Sequence, residues 1–376
     1  MVGKHDVRRT EPCLMHPALA PFTFQRGHLG VKNRCVLAAM TNKQSQSDGH
    51  VSKEEIAWLE ARSRGGFGIV TTAATHVQED GQGWEGEFGV WSDAFLPGLS
   101  SMAEAISQHG AIGLAQLFHG GMRAPESITG LQPKSASENL LNDEGDLARA
   151  MTEVEIVETI RAFGQAAKRC EAAGFHGVEL HGAHGYLISQ FLGKSTNRRE
   201  DAWGGSPEKR QAFLHEIIQE VRRQTSEEFI VGVRLSPVHN GVGITLPDAL
   251  FTVKSCMSLE LDFVHVSCWD INQRETIGQR EQTYTEWFAT ELRGQMPLFT
   301  TGAVWNRDDA ENAVDQGGDF VGVARAGIAH PNWPKMLVED AGHPKQPPFT
   351  VAELEQATLS PRFIDYMRRW DGFVEP

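Results

Sequence analysis

The sequence predicts one α/β domain, a single (β/α)8 TIM barrel, and three observations carry that expectation. Short runs rich in β-branched and apolar residues recur eight times, each followed by a helix-like segment. The eight units cover about 300 residues with no Pro/Gly/Ser linker to divide them into separate domains. Long polar insertions follow the third, fourth and sixth runs, at 119–150, 182–206 and 268–283, and so mark one loop-rich face.

In chain order, an extension of about 34 residues comes first. Its "PFTFQRGHLGVKNR" reads as a short hairpin that plugs the N-terminal end of the barrel. The eight strand runs are "CVLAAM" (35–40), "GIVTTA" (68–73), "IGLAQLF" (112–118), "GVELH" (177–181), "FIVGVRL" (229–235), "DFVHVS" (262–267), "PLFTTG" (297–302) and "DFVGVA" (319–324). Helix signals stand between them. Ser52 with Glu55, and Thr152 with Glu155, have the capping-box spacing, and glycines end both segments. A tail from about 342 to 376 follows the last unit, so that 1–376 reads as a single domain.

Composition excludes several function classes. The formal charge of -14 repels polyanions, which argues against nucleic acid and anionic membrane as partners. No stretch approaches the ~20 apolar residues of a membrane span, and the charged N-terminus lacks a signal-peptide core, so the chain reads as cytoplasmic. Cys13, Cys35, Cys170, Cys256 and Cys268 form no C-x-x-C pair and read as buried reduced thiols.

Chemistry concentrates in "ELHGAHGYLISQFL" (179–192). Strand alternation puts Glu179 and His181 on the inward face, with Val178 and Leu180 toward the helices. By the same count Gln116 and Arg234 point inward near their strand ends, and Thr41 follows the first strand. His181 alone reads as a satisfied core residue. Together with His184, Tyr186, Gln116 and Arg234 it makes a convergent polar site in an apolar mouth. A second signal lies after the seventh and eighth strands. There Gly302, Ala303, Ala324 and Arg325 offer backbone N–H groups and a guanidinium, where barrels commonly hold a phosphate.

These residues give the chain a family resemblance. From "LAAMTN" through "FGVWSD", "AQLFHGG", "HGAHGYLISQFL" and "NRREDAWGGSPEKR" to "TTGAV" and "GVAR", it resembles the Old Yellow Enzyme family of FMN-dependent ene-reductases. The H-x-x-H-x-Y run joined to "NRREDAWGGS" is its most specific element. The resemblance implies FMN as cofactor, NADH or NADPH as electron donor, and small electron-poor alkenes as substrates. It implies that Ala39, Met40, Thr41, Ala74 and Gln116 line the flavin ring and that Arg234 stands near N1 and C2=O. A fixed cation there stabilises the charge that reduction builds. Gly302, Ala303, Ala324 and Arg325 would hold the phosphate. His181 and His184 would bond the substrate's carbonyl oxygen, and Tyr186 would give the proton. The small residues between these three are expected to let a flat substrate lie over the ring, and the polar stretch after Tyr186 to cap the mouth and start a helix at Ser206-Pro207.

Two departures stand out. Ala39 replaces a frequent proline, and Thr41 stands where some bacterial members carry cysteine. Larger members have a cysteine cluster after the barrel for an iron–sulfur centre; without one, electrons are expected directly from a nicotinamide. Two rival readings stay open: a metal-dependent hydrolase using His181 and His184 with help from His119 or His265, and a flavin-binding barrel without ene-reductase activity. In the tail, Arg368, Arg369 and Trp370 read equally as reaching a neighbouring subunit of a homo-oligomer or as belonging to a helix packed on its own barrel.

Overall fold

The computed structural model describes residues 15–338 and 343–376; Cys13 and the start of the N-terminal extension lie outside them. The eight expected runs form eight strands: Cys35–Leu37, Ile69–His76, Ile112–Phe118, Gly177–Gly182, Ile230–Leu235, Phe263–Ser267, Leu298–Thr301 and Phe320–Val323. They close a barrel in which each strand pairs with its sequence neighbours and the eighth with the first. Every pairing is parallel. The first strand ends at Leu37 rather than Met40, so Ala38 to Met40 already belong to the loop at the barrel mouth. The second strand runs past the expected 73 to His76, with a register shift between Thr71 and Ala74.

The expected plug is present. Phe22–Thr23 pairs antiparallel with Gly30–Val31, and Phe24 and Val31 pack beneath the barrel against Val36, Ile69, Ile230, Phe263, Phe299 and Phe320. Phe263 and Phe299 stack with centroids 4.2 Å apart, and a side chain at Gly232 would place its Cβ 2.2 Å from the Phe263 ring. This apolar floor occupies the N-terminal end of the barrel.

Above the floor lies a polar layer. Glu179, fully buried, accepts from Gln116 Nε2 at 2.7 Å and meets His265 Nδ1 at 2.6 Å, while His265 Nε2 meets Thr301 Oγ1 at 2.6 Å. Burial disfavours charge on both partners, and it leaves His265 below its ordinary value. Burial opposes the Glu179 charge too, yet His265, Arg234 and the hydrogen bond from Gln116 hold that carboxyl below the usual range. His265 thus bridges Glu179 through Nδ1 and Thr301 through Nε2, and both of its ring nitrogens are committed.

Side-chain caps set the helix starts. Ser206 Oγ accepts from Lys209 N, with Pro207 at the first helical position, and Thr152 forms the full reciprocal box with Glu155. At Lys53–Gly65 only half of the expected box exists: Ser52 accepts from Glu55 N, but the Glu55 carboxylate turns inward. It accepts from Asn42 Nδ2 at 2.8 Å and from Ser45 Oγ, bracing the loop after the first strand. Cys35, Cys170, Cys256 and Cys268 are buried and free. No described helix is long and apolar enough to cross a membrane.

The tail is packed on its own barrel. In helix Pro361–Met367 the side chains of Phe363, Ile364 and Met367 are buried, with Phe363 edge-on to Trp58. Ser360 N donates to Gln44 Oε1 and Arg362 to Ser45 O, fastening this segment to the same loop that Glu55 braces.

Candidate active site

A cavity of about 580 Å³ opens at the C-terminal end of the strands, and the expected flavin and substrate residues all line it, from Ala39, Met40 and Thr41 to Ala324 and Arg325. Arg234, on the fifth strand, donates from Nη1 to Ala39 O at 2.9 Å and from Nη2 to Ser267 Oγ at 3.1 Å. Its Nε is buried without a partner among the described residues. Gln116, which also lines the cavity, commits one amide N–H to Glu179 and keeps an acceptor oxygen and a second N–H. A flavin pyrimidine offers one N–H donor between carbonyl acceptors, and this donor–acceptor set fits it. Across the cavity lie Gly302, Ala303 (φ 53), Ala324 and Arg325, with the Arg325 guanidinium 5.4 Å over the Trp269 ring. These residues suit the phosphate of FMN.

The imidazoles and the phenol line the same cavity, His181 directly beside Arg234 in the strand register. His181 and His184 stand edge to face with centroids 5.0 Å apart, and Tyr186 lies 5.0 Å from His181. Burial first holds both histidines well below the ordinary value, followed for His181 by the His184 imidazole and then Arg234 and Arg123, and for His184 by Arg234 and Arg123 and then His239 and His265. Both are neutral at physiological pH. The His184 ring is fixed through Nε2, 2.8 Å from the same Ser267 Oγ that Arg234 engages. Burial raises the Tyr186 pKa, and Arg123 opposes the rise. The Arg123 guanidinium lies 4.3 Å over the Tyr186 ring and donates to His184 O at 2.5 Å, while Phe118 meets the ring edge-on at 4.5 Å.

Two expectations about this motif need correction. Gly182, Ala183 and Gly185 do not line the cavity; their small size serves the backbone. His184 and Gly185 are both left-handed (φ 61 and 76), turning the chain back from the strand, and a Cβ on Gly185 would meet His239 at 2.9 Å. The stretch after Tyr186 does not cap the mouth either. Leu187–Leu192 is a buried helix, and beyond it Arg198 bonds Asn139 while Arg199 bonds Ala136 O and Met151 O, knitting this segment to the insertion of the third unit. The mouth is walled instead by Trp84, Trp269, Tyr366, Arg369 and Trp370.

Sequence reasoning missed Lys43, Trp84, Arg123 and Ser267, all of which line the cavity. Ser267 was within reach, since alternation from Phe263 through His265 leads to it on the inward face. Of the tail residues, Arg369 and Trp370 line this chain's own cavity, whereas Arg368 donates to Glu375 O. The metal reading loses its third ligand: His265 commits both nitrogens, and His119 is engaged by Gly121 N and Asp80. Among the described residues no group of three metal-ligating side chains forms.

Comparison with known proteins agrees with this geometry. Residues 19–342 match the NADH:flavin oxidoreductase / NADH oxidase family. The chain is 36% identical over 336 residues to the probable NADH-dependent flavin oxidoreductase YqiG of Bacillus subtilis (strain 168), covering 88% of this chain and 89% of that one. It is 31% identical over 331 residues to an NADPH dehydrogenase of Geobacillus sp. (strain WCH70), covering 86% and 94%. Among solved structures, an Old Yellow Enzyme homologue from Zymomonas mobilis superposes with a TM-score of 0.78 at 26% identity, over 92% of this chain and 98% of that one. The protein is thus an FMN-dependent NAD(P)H oxidoreductase, and it belongs to the NADH:flavin oxidoreductase / NADH oxidase family of Old Yellow Enzyme type.

Proposed function

We propose that this protein is an ene-reductase that saturates electron-poor alkenes with electrons from NADH or NADPH, with Tyr186 as proton donor. FMN, when bound, would supply the two-electron chemistry that carries a hydride from the nicotinamide to the alkene β-carbon. The chain's own residues do the rest. His181 and His184, both neutral and the latter fixed by Ser267, hold the activating oxygen; their bonds strengthen as charge moves onto that oxygen, so they favour the transition state over the ground state. Tyr186 gives its proton to the α-carbon and is reprotonated from solvent. Arg234 and Gln116 hold the pyrimidine edge, and Gly302, Ala303, Ala324 and Arg325 the phosphate. Ala39, Met40, Thr41 and Ala74 line the ring.

The observation that carries this reading is that His181, His184 and Tyr186 line one cavity with Arg234 and Gln116, which stand on the strands that flank His181. The test is direct. Purified protein should be yellow, release FMN on heating, oxidise NADH or NADPH, and saturate an enone such as cyclohexenone under anaerobic conditions. A flavin reduced by the nicotinamide but inert toward every activated alkene would leave an oxidoreductase without ene-reductase activity.

A further inference from the structure

Five cationic side chains line the cavity, Lys43, Arg123, Arg234, Arg325 and Arg369, and among the described residues no carboxylate does. This concentration arises in a chain whose formal charge is -14. Arg234 and Arg325 are matched to the pyrimidine edge and phosphate of the flavin. The other three have no such counterpart, and carbonyls and ring faces hold them in place. Arg123 bonds His184 O and covers the Tyr186 ring. Lys43 and Arg369 lie over the Tyr366 ring at 5.4 and 5.3 Å. Lys43 holds this position with a left-handed backbone (φ 56), a conformation that costs free energy for a side chain of this kind. A second depression of about 460 Å³ shares Lys43, Tyr366 and Arg369 with the cavity and is lined as well by Arg362, Glu85 and Asp365, of which Arg362 and Glu85 pair with each other at 3.4 Å.

Like charges gathered at the rim of a low-dielectric pocket repel one another and gain only when an anion enters; the same field draws that anion in. Arg123 is the inner member, since its bond to His184 and its stack on Tyr186 put it beside the proposed carbonyl and proton sites. Lys43 and Arg369 are the outer members, on the path from the cavity to the second depression.

We propose that Lys43, Arg123 and Arg369 form an oxyanion subsite at the mouth of the cavity, so that the molecule bound there carries a carboxylate or phosphate at a distance from its reacting carbon. Two sources share this chemistry: a carboxylate on the alkene and the pyrophosphate of the nicotinamide donor. The inference rests on the ene-reductase reading of the same cavity.

The test uses the FMN-loaded protein and the variants Arg123→Gln, Arg123→Lys and the double variant Lys43→Gln/Arg369→Gln. Stopped-flow kinetics would compare an enone bearing a remote carboxylate with its methyl ester, and NADH with uncharged 1-benzyl-1,4-dihydronicotinamide. Binding of benzoate and benzamide, read from the flavin spectrum, gives a measure independent of turnover. If the alkene carries the anion, the acid-to-ester ratio of kcat/KM should fall about tenfold or more in Arg123→Gln, recover in Arg123→Lys, and shrink with ionic strength. Benzoate should then lose affinity relative to benzamide by a comparable factor. If the donor carries it, the ratio of NADH to the benzyl analogue should fall in the double variant while the acid-to-ester ratio holds. Unchanged values of both ratios and of benzoate affinity in all variants would overturn the subsite. Failure of any alkene to react, acid or ester, would instead overturn the ene-reductase reading itself.

Discussion

Replacing Tyr186 by Phe isolates one proton. Burial and the Arg123 cation pull the phenol's acidity in opposite directions, and among the described residues no hydrogen bond to its hydroxyl contributes. Removing that oxygen therefore leaves no buried partner unsatisfied, and the ring keeps its edge contact with Phe118 and its place beneath Arg123. Folding stability should change by no more than ~0.5 kcal/mol. The catalytic loss is of another size. A general acid contributes roughly 10²- to 10⁴-fold, or ~3 to 5 kcal/mol of barrier, so reduction of cyclohexenone should slow by that factor. Flavin reduction by NADH or NADPH needs no proton from the protein and should stay within about twofold of the parent. Nitroalkenes, which can leave as nitronates before protonation, should tolerate the change better than the enone. Anaerobic stopped-flow at the flavin absorbance band separates the two half-reactions. Equal losses in both, or equal losses with enone and nitroalkene, would refute the assignment and make Tyr186 a residue that positions the nicotinamide and substrate.

Other perturbations test other layers. Arg234→Met, which removes the buried cation bonded to Ala39 O, should lower the flavin reduction potential by on the order of 20 to 60 mV, measured against a redox dye. Phe263→Ala opens the floor where Phe263 stacks on Phe299 and should cost about 3 to 5 kcal/mol in urea unfolding. Glu55 gives a pH signature. Burial raises its carboxyl to about 7 in the folded protein against an ordinary value of 4.5. The folded state then binds the extra proton, so its contribution to stability is complete below about 4.5 and is lost as pH rises through about 7. Thermal unfolding of Glu55→Gln should show a flatter profile across that window, and an unchanged slope would assign the pH dependence to other groups.

The barrel was legible because its information is local and periodic. Each strand run carries its own β-branched alternation, and the same alternation turned His181, Gln116 and Arg234 toward one mouth. What escaped was set by contacts distant in sequence. Glu55 has the spacing of a cap residue, yet Asn42 and Ser45 compete for its carboxylate and win because the site is buried. Arg198 and Arg199 stand in a polar stretch that pattern alone reads as a loop over the mouth; their partners, Asn139, Ala136 O and Met151 O, come from the preceding unit. Arg369 reaches the cavity because the tail helix docks through Phe363 on Trp58 and brings Met367 to the cavity as well, a docking that no local period encodes.

The packed phenylalanines at the foot of the barrel have a kinetic consequence. With Phe24, Phe263, Phe299 and Phe320 filling one end, the cavity has its door at the other. Whatever brings electrons and whatever takes them share that door. The expected outcome is turnover by alternation: double-reciprocal plots at several fixed donor concentrations should run parallel, and an excess of either reactant should compete with the other for the doorway, whereas intersecting plots would mean that both are bound at once.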